Sequence, residues 1–225
     1  MPQYFFPGFE EILPPIPVKP KKVIPPSDNR EAMLHELVKD MSTVDIPYKD
    51  LDNTVLYDGD IYSPIMIIGE GPGETEVIQK KPFVGKSGKL LQEMLDCAGI
   101  LRQNVYVTNA VVWRPPNNRT PLPEEIALMK PFLMKHISII NPKIIVLVGG
   151  IAYRCLMEKP IAISKIRGQW LKNEICEHIV NIFHPSYLLR SPSHRKETWE
   201  DIINLRKVIE RTGNGNRLTP GCLFL

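Results

Sequence analysis

The hydrophobic pattern changes character at Ile65. Ile65-Met66-Ile67-Ile68 is an unbroken apolar run, the pattern of a strand buried on both faces. Ser87 to Ala98 follows with helical spacing and puts Leu90, Leu91, Met94 and Leu95 inward. Val105 to Val112 predicts a second strand. Pro123 to Ile140 predicts a helix, with proline in its first turn and Glu124 and Glu125 near the positive end of its dipole. Lys143 to Val148, containing IIVLV, is a third strand; Gly150 to Met157 is a short helix; His178 to Phe183 is a fourth strand. His194 to Arg211 is the last helix, ended by Gly213. Upstream, Asp28 to Met41 reads as a helix with an Asp/Asn cap and Met33, Leu34, Leu37, Val38 and Met41 on one face.

Strand–helix alternation of this kind predicts a parallel sheet with helices on both faces. The expected fold is a three-layer α/β/α sandwich around a central four-stranded parallel sheet. Residues 1–28 are rich in proline and lack periodicity, so they read as an extended arm. Residues 29–212 form the α/β domain and 213–225 a tail. In such sheets ligands bind beyond the carboxyl ends of the strands. The segments Gly69 to Phe83, Thr108 to Arg119, Gly149-Gly150 and His184 to Pro192 should therefore converge.

The chain of 225 residues is long enough for one sizeable core. Its net charge of +3 makes no global demand for nucleic acid, but Lys165 to Lys196 is locally basic. No apolar run is long enough to cross a bilayer, and the N-terminus lacks the order of a signal peptide, so a cytoplasmic protein is expected. Cys97, Cys155, Cys176 and Cys222 stand far apart without a CxxC, which reads as buried thiols.

The stretch GEGPGETEVIQKKPFVGKSGKLL after the first strand is glycine-rich, yet matches neither GxxxxGK[ST] nor GxGxxG. Its acids would repel phosphate, so an uncharged ligand fits better. The post-strand segments together supply Glu70, Glu76, Phe83, Asn109, Asn118 and His184. There is no Ser or Cys nucleophile beside a base, and no His/Cys cluster for zinc. An aromatic face plus an amide is how a flipped base is held. The loop HPSYLLRSPS, carrying Arg190, Ser191, Pro192 and Ser193, can wedge into a duplex and hold phosphates, with Lys165 and Arg167 as further basic candidates.

GEGPGETE, KPFVGKSG, VTNAVVWRPPNNRTPLPEE and FHPSYLLRSP, in this order, resemble the motifs of family-4 uracil-DNA glycosylases. The resemblance runs from about Ile65 to Val208. It implies base flipping and release of uracil from DNA, leaving an abasic site. By position, Phe83 would stack on the base, Asn109 would read its edge, and His184 would donate to uracil O2. Glu70 and Asn118 would place water and sugar, and Glu76 would flank the C5 edge against thymine. Gly71 stands where better-known relatives carry a water-activating Asp, and the GEGPG turn would admit backbone amides where a side chain would collide.

The resemblance breaks at one feature. Family-4 members usually hold a [4Fe–4S] cluster on four cysteines. Here Ser42 to Leu51 has none, and Trp113 and Met129 stand at the other two ligand positions. No cluster and no other metal are expected, with bulky apolar residues filling the space. The expected partner is uracil-containing DNA, no membrane, and a monomer. Two other readings remain open: a relative trapped covalently on the abasic sugar, disfavoured because PPNNRTPLPEE lacks histidine, and a DNA-binding module that lost catalysis.

Overall fold

The computed structural model describes residues 13–16, 29–158 and 161–213. In chain order the elements are α1 (Arg30–Met41), β1 (Tyr57–Gly59), β2 (Ile65–Gly69), α2 (Glu74–Gln79), α3 (Lys86–Cys97), β3 (Tyr106–Asn109), α4 (Pro123–Ile140), β4 (Ile144–Val148), α5 (Gly150–Met157), β5 (Trp170–Leu171), β6 (His178–Ile182), α6 (Pro185–Arg190) and α7 (Arg195–Gly213). They form one sheet in the order β1-β3-β2-β4-β6-β5. The inner four strands are parallel, as the alternating pattern requires. The two outer ones are antiparallel, so the sheet is six-stranded and mixed rather than four-stranded. β1 is three residues, Tyr57-Asp58-Gly59, and β5 is two, too short to carry a period in the sequence. Both protect the edges of the parallel core.

Alternation along the strands builds two cores. Ile65 and Ile67 of β2 join Ile144, Val146 and Val148 of β4 on the face covered by α3, α6 and α7. Met66, Ile68, Ile145 and Leu147 face the other way, under α1, α4 and α5. The three-layer α/β/α architecture follows from this split.

Several boundaries moved. The second core strand ends at Asn109, because Ala110 and Val111 turn to donate their N–H groups to the carbonyls of Gly69 and Glu70 (2.9 and 3.1 Å). Asn29 caps α1 by position, but its side chain makes no cap bond. Gly213 lies in the last turn of α7. The expected loop after His184 is mostly the short helix α6, started by Pro185. Residues 74–79, expected as loop, are helical too. Most of the N-terminal arm, the tail beyond Gly213, and Cys222 lie outside the described residues. Within the arm, Leu13 and Ile16 donate to the carbonyls of Cys97 and Gly99 (both 2.9 Å), and Arg206 Nη1 donates to Pro14 O (2.7 Å). Among the described residues no helix is long and apolar enough to cross a membrane.

The strand register carries straight to the site. Gly69 stands opposite Asn109 in the β2–β3 pair, and Val148 opposite Ile182 in β4–β6. The residues that follow, Glu70, Ala110, Gly149 and Phe183-His184, are therefore delivered to one edge.

Candidate active site

Gly69 is the point of closest approach. A β-carbon there would lie 2.4 Å from both Asn109 Oδ1 and Phe83 Cζ. Within the GEGPG turn the tightest approach is at Gly69. A β-carbon at Gly71 would meet nothing nearer than 3.8 Å, ordinary contact, so the protein itself leaves that position room. Asn109 is buried, 3% exposed, and its Nδ2 has no hydrogen-bond partner among the described residues. An unpaired buried donor is costly unless a ligand satisfies it. Phe83 is also buried and lies with its ring centre 6.1 Å from that of His184, tilted by 35°.

His184 caps the N-terminus of α6. Its Nδ1 accepts the backbone N–H of Ser186 at 3.2 Å and lies 2.8 Å from Ser186 Oγ. A backbone N–H can only donate, so Nδ1 holds the lone pair and the ring proton sits on Nε2. Burial, reinforced by the Arg190 charge, pushes the imidazole pKa down to about 4. The ring is neutral at physiological pH. In the sequence the only signal of this Ser186 contact is the His-Pro-Ser order.

Glu70 meets His184 across Gly149. Gly149 has φ +97, and a β-carbon there would lie 2.6 Å from Glu70 Oε1 and 3.0 Å from His184 Cβ. Burial pushes the Glu70 carboxyl upward, while the backbone N–H of Ile151 at the start of α5 and the charges of Arg154 and Arg190 hold it back. The carboxylate is thus held by a helix N-terminus, which favours the anion.

Glu76 holds the loop that carries Phe83. Its Oε1 accepts the N–H groups of Val84 (3.0 Å) and Gly85 (2.7 Å), the two residues after Phe83. Asn118 is exposed on a turn where Asn117 and Asn118 both have φ 54, a conformation asparagine tolerates better than most. Its Oδ1 accepts from Arg114 Nε at 2.8 Å, and a β-carbon on Gly73 would be 3.9 Å from it. Arg114 also reaches Glu74 of α2 at 3.6 Å. The Asn118 turn therefore sits across the glycine loop. Arg114, unremarked in the sequence beyond its motif, ties the two together.

Of the DNA-facing candidates, Arg190, Pro192, Ser193 and Lys165 are exposed and Ser191 partly so. Arg167 differs from these in having strong partners within the protein. Its guanidinium is spent inside, on Asp201 (2.7 and 3.0 Å) and the carbonyl of Glu197 (2.5 Å), and it lies over the Phe183 ring. Asp201, 34 residues away, gave no local sign of the pairing.

The positions of the family's cluster ligands are filled by packing. Trp113 and Met129 are 0% and 1% exposed within one apolar cluster that also holds Met41, Val44 and Ile46. Trp113 Nε1 donates to Thr54 Oγ1 at 2.9 Å. Among the described residues no group of three His, Cys, Asp or Glu side chains could hold a metal. Cys97, Cys155 and Cys176 are free and buried. An indole and a thioether in a filled core do not fit an iron–sulfur cluster. Beside them, Glu125 does more than face a helix dipole. It accepts two bonds from Arg119 (2.9 and 2.5 Å), one from Tyr48 (3.0 Å) and one from the Leu122 N–H (2.7 Å). Arg119 holds the Glu125 carboxyl down to about 2.

The chain is similar to known proteins over most of its length. A family model described as the uracil DNA glycosylase superfamily matches residues 56–204. A "Type-4 uracil-DNA glycosylase" of Thermotoga maritima is 43% identical over 167 residues, covering 72% of this chain and 85% of that protein. Another of the same name, from Pyrobaculum aerophilum, is 36% identical over 176 residues, 75% of this chain and 89% of its own. A DNA polymerase of Bacillus phage SP01 is 33% identical over 147 residues, a match to 16% of its length. With the family model spanning most of the chain and the two glycosylases matched over most of their own lengths, the chain belongs to the uracil DNA glycosylase superfamily.

Proposed function

We propose that this protein hydrolyses the N-glycosidic bond of deoxyuridine in DNA, releasing uracil and leaving an abasic site. The observation that carries the reading is the buried, unpartnered Nδ2 of Asn109 beside the Phe83 ring. A base turned out of the stack supplies what both lack: a π-face for Phe83 and an O4 acceptor for Nδ2. Asn109 Oδ1 then accepts from N3–H. Cytosine offers the opposite pattern and leaves buried groups unpaired, so the pocket rejects it.

His184 supplies the chemistry of departure. Its neutral imidazole, with the proton on Nε2, donates to uracil O2. Negative charge grows on that oxygen only as the C–N bond breaks, so the contact strengthens in the transition state. The Ser186 N–H holds the tautomer that makes this donation. Glu70, anchored at the start of α5 and next to His184, orients the attacking water. Asn118, across the glycine loop, acts on the sugar side. Gly71 leaves the space in which water and substrate meet.

Arg190, Ser191, Pro192, Ser193 and Lys165 form the DNA-facing surface in this reading. Glu76 acts on base choice through the Phe83 loop. The protein is proposed to work without an iron–sulfur cluster, its place taken by the Trp113–Met129 core and the Tyr48–Glu125–Arg119 network. One chain supplies every residue invoked, which supports action as a monomer, on DNA in the cytoplasm. A single-turnover assay on a uracil-containing oligonucleotide tests the proposal: free uracil and an alkali-labile strand are expected, with no heat-stable protein–DNA adduct.

A further inference from the structure

Phe83 has φ +53, a conformation that bulky L-residues rarely adopt. Such a backbone persists only when its surroundings over-determine it, and three contacts do so here. Gly88, in the first turn of α3, presses on the Phe83 peptide so closely that a β-carbon would lie 2.0 Å from its carbonyl carbon. Glu76 holds the N–H groups of Val84 and Gly85 on the far side. Arg102 holds the near side: Nη2 donates to Pro82 O at 2.5 Å and Nη1 to Phe83 O at 3.4 Å.

Arg102 is itself aimed. Its Nε donates to Asp58 Oδ2 at 2.6 Å, and Nη1 reaches Gln92 Oε1 at 3.5 Å. Asp58 is the middle residue of β1, the short edge strand that the parallel core does not require. Its other oxygen faces Lys81, 3.6 Å away, on the same loop as Phe83. The Arg102 guanidinium keeps the Asp58 carboxyl below its usual range despite burial. Both side chains border a surface cavity of about 600 Å³, lined also by Glu31, Tyr57, Asp60 and Tyr62.

We propose that Arg102, oriented by Asp58, is a positioning residue of the uracil pocket: it fixes the plane of the Phe83 ring through the carbonyls of Pro82 and Phe83. The inference rests on the proposed uracil excision. A planar fork suits two neighbouring carbonyls in a way that a point charge does not. The Arg102→Lys substitution keeps the charge and loses the fork.

The test is a double-mutant cycle read in single-turnover uracil release, with Arg102→Gln, Arg102→Lys, Phe83→Ala and the two doubles, and melting temperature measured beside it. Arg102→Gln should slow release by on the order of 10²-fold, the usual cost of a small misplacement. Arg102→Lys should restore little of it. In the Phe83→Ala background, Arg102→Gln should have almost no further effect, because the ring it positions is gone. Guanidinium ion at low millimolar concentration, entering through the neighbouring cavity, should partly rescue an Arg102→Ala variant but not Phe83→Ala. Fully additive losses, or full activity in Arg102→Lys, would overturn the clamp while leaving uracil excision intact. A wild-type protein that releases no uracil would instead overturn the functional reading itself.

Discussion

Asn109 Oδ1 and the Phe83 ring close over Gly69 so tightly that a single added carbon would lie 2.4 Å from both. Asn109 comes from the end of β3 and Phe83 from a loop before α3. What joins them is the β2–β3 register that sets Gly69 opposite Asn109. Gly69→Ala should therefore abolish uracil release by pushing the amide and the ring apart. Gly71→Ala, with no neighbour inside 3.8 Å, should leave the fold unchanged. Paired melting curves and single-turnover rates check both.

His184→Ala should slow excision by ~10²–10³, the usual cost of losing one donor to a developing oxyanion. DNA affinity should change far less. Because the imidazole pKa lies at about 4, the substrate-free enzyme should show no limb near pH 6.5 in kcat/KM from this residue. Burial that keeps His184 neutral also has a stability sign. Between about pH 4 and 6.5 the unfolded chain binds a proton that the folded ring refuses, so this residue's contribution is lost as pH falls through that window.

The parallel core was legible in the sequence because its signal is local. IMII and IIVLV are short apolar runs, and Pro123 marks the start of α4 to the residue. The convergence of Glu70, Asn109, Gly149 and His184 then follows from the rule that ligands gather at the carboxyl ends of strands. What escaped was set by distant partners. β1 and β5 have too few residues for a period. Arg167 shows no partner in the sequence because Asp201 lies 34 residues away on α7. Arg102 carried no motif, and its role depends on Asp58 and on a loop 20 residues upstream. HPSYLLRSPS reads as a loop because its two prolines outweigh the short helix Pro185–Arg190 that the first of them starts.

Arg190 and Arg167 should separate cleanly. Arg190→Ala should leave the melting temperature unchanged and weaken DNA binding equally across sequences, reducing the salt slope by about one. Arg167→Ala should instead destabilise the fold. Burial already pushes Asp201 up to about 6 even with Arg167 beside it. Without that partner the carboxyl rises further, and holding it ionised is what destabilises the variant. The deficit should be largest at pH 8 and shrink as pH falls and Asp201 takes up a proton. Melting curves across pH check this.

Purified protein should be colourless, and iron chelators should leave its melting temperature unchanged. Glu125→Ala should lower that temperature, since it strips the buried partner from Arg119, Tyr48 and the Leu122 N–H at once. Visible absorbance with stoichiometric iron after anaerobic purification would contradict the packing account of Trp113 and Met129.

The most direct test of the pocket is base choice in wild type and Asn109→Asp, measured side by side on single-uracil and single-cytosine oligonucleotides. A carboxyl buried at this position is pushed toward its protonated form. Its proton can sit on either oxygen, so it can donate to cytosine N3 and accept from the exocyclic amine, which an amide held with Oδ1 toward N3 does not do. Wild type should release uracil and leave cytosine untouched. Asn109→Asp should release uracil much more slowly and acquire a measurable cytosine activity, strongest at lower pH. A variant with full uracil activity that still ignores cytosine would mean that Asn109 does not read the base edge.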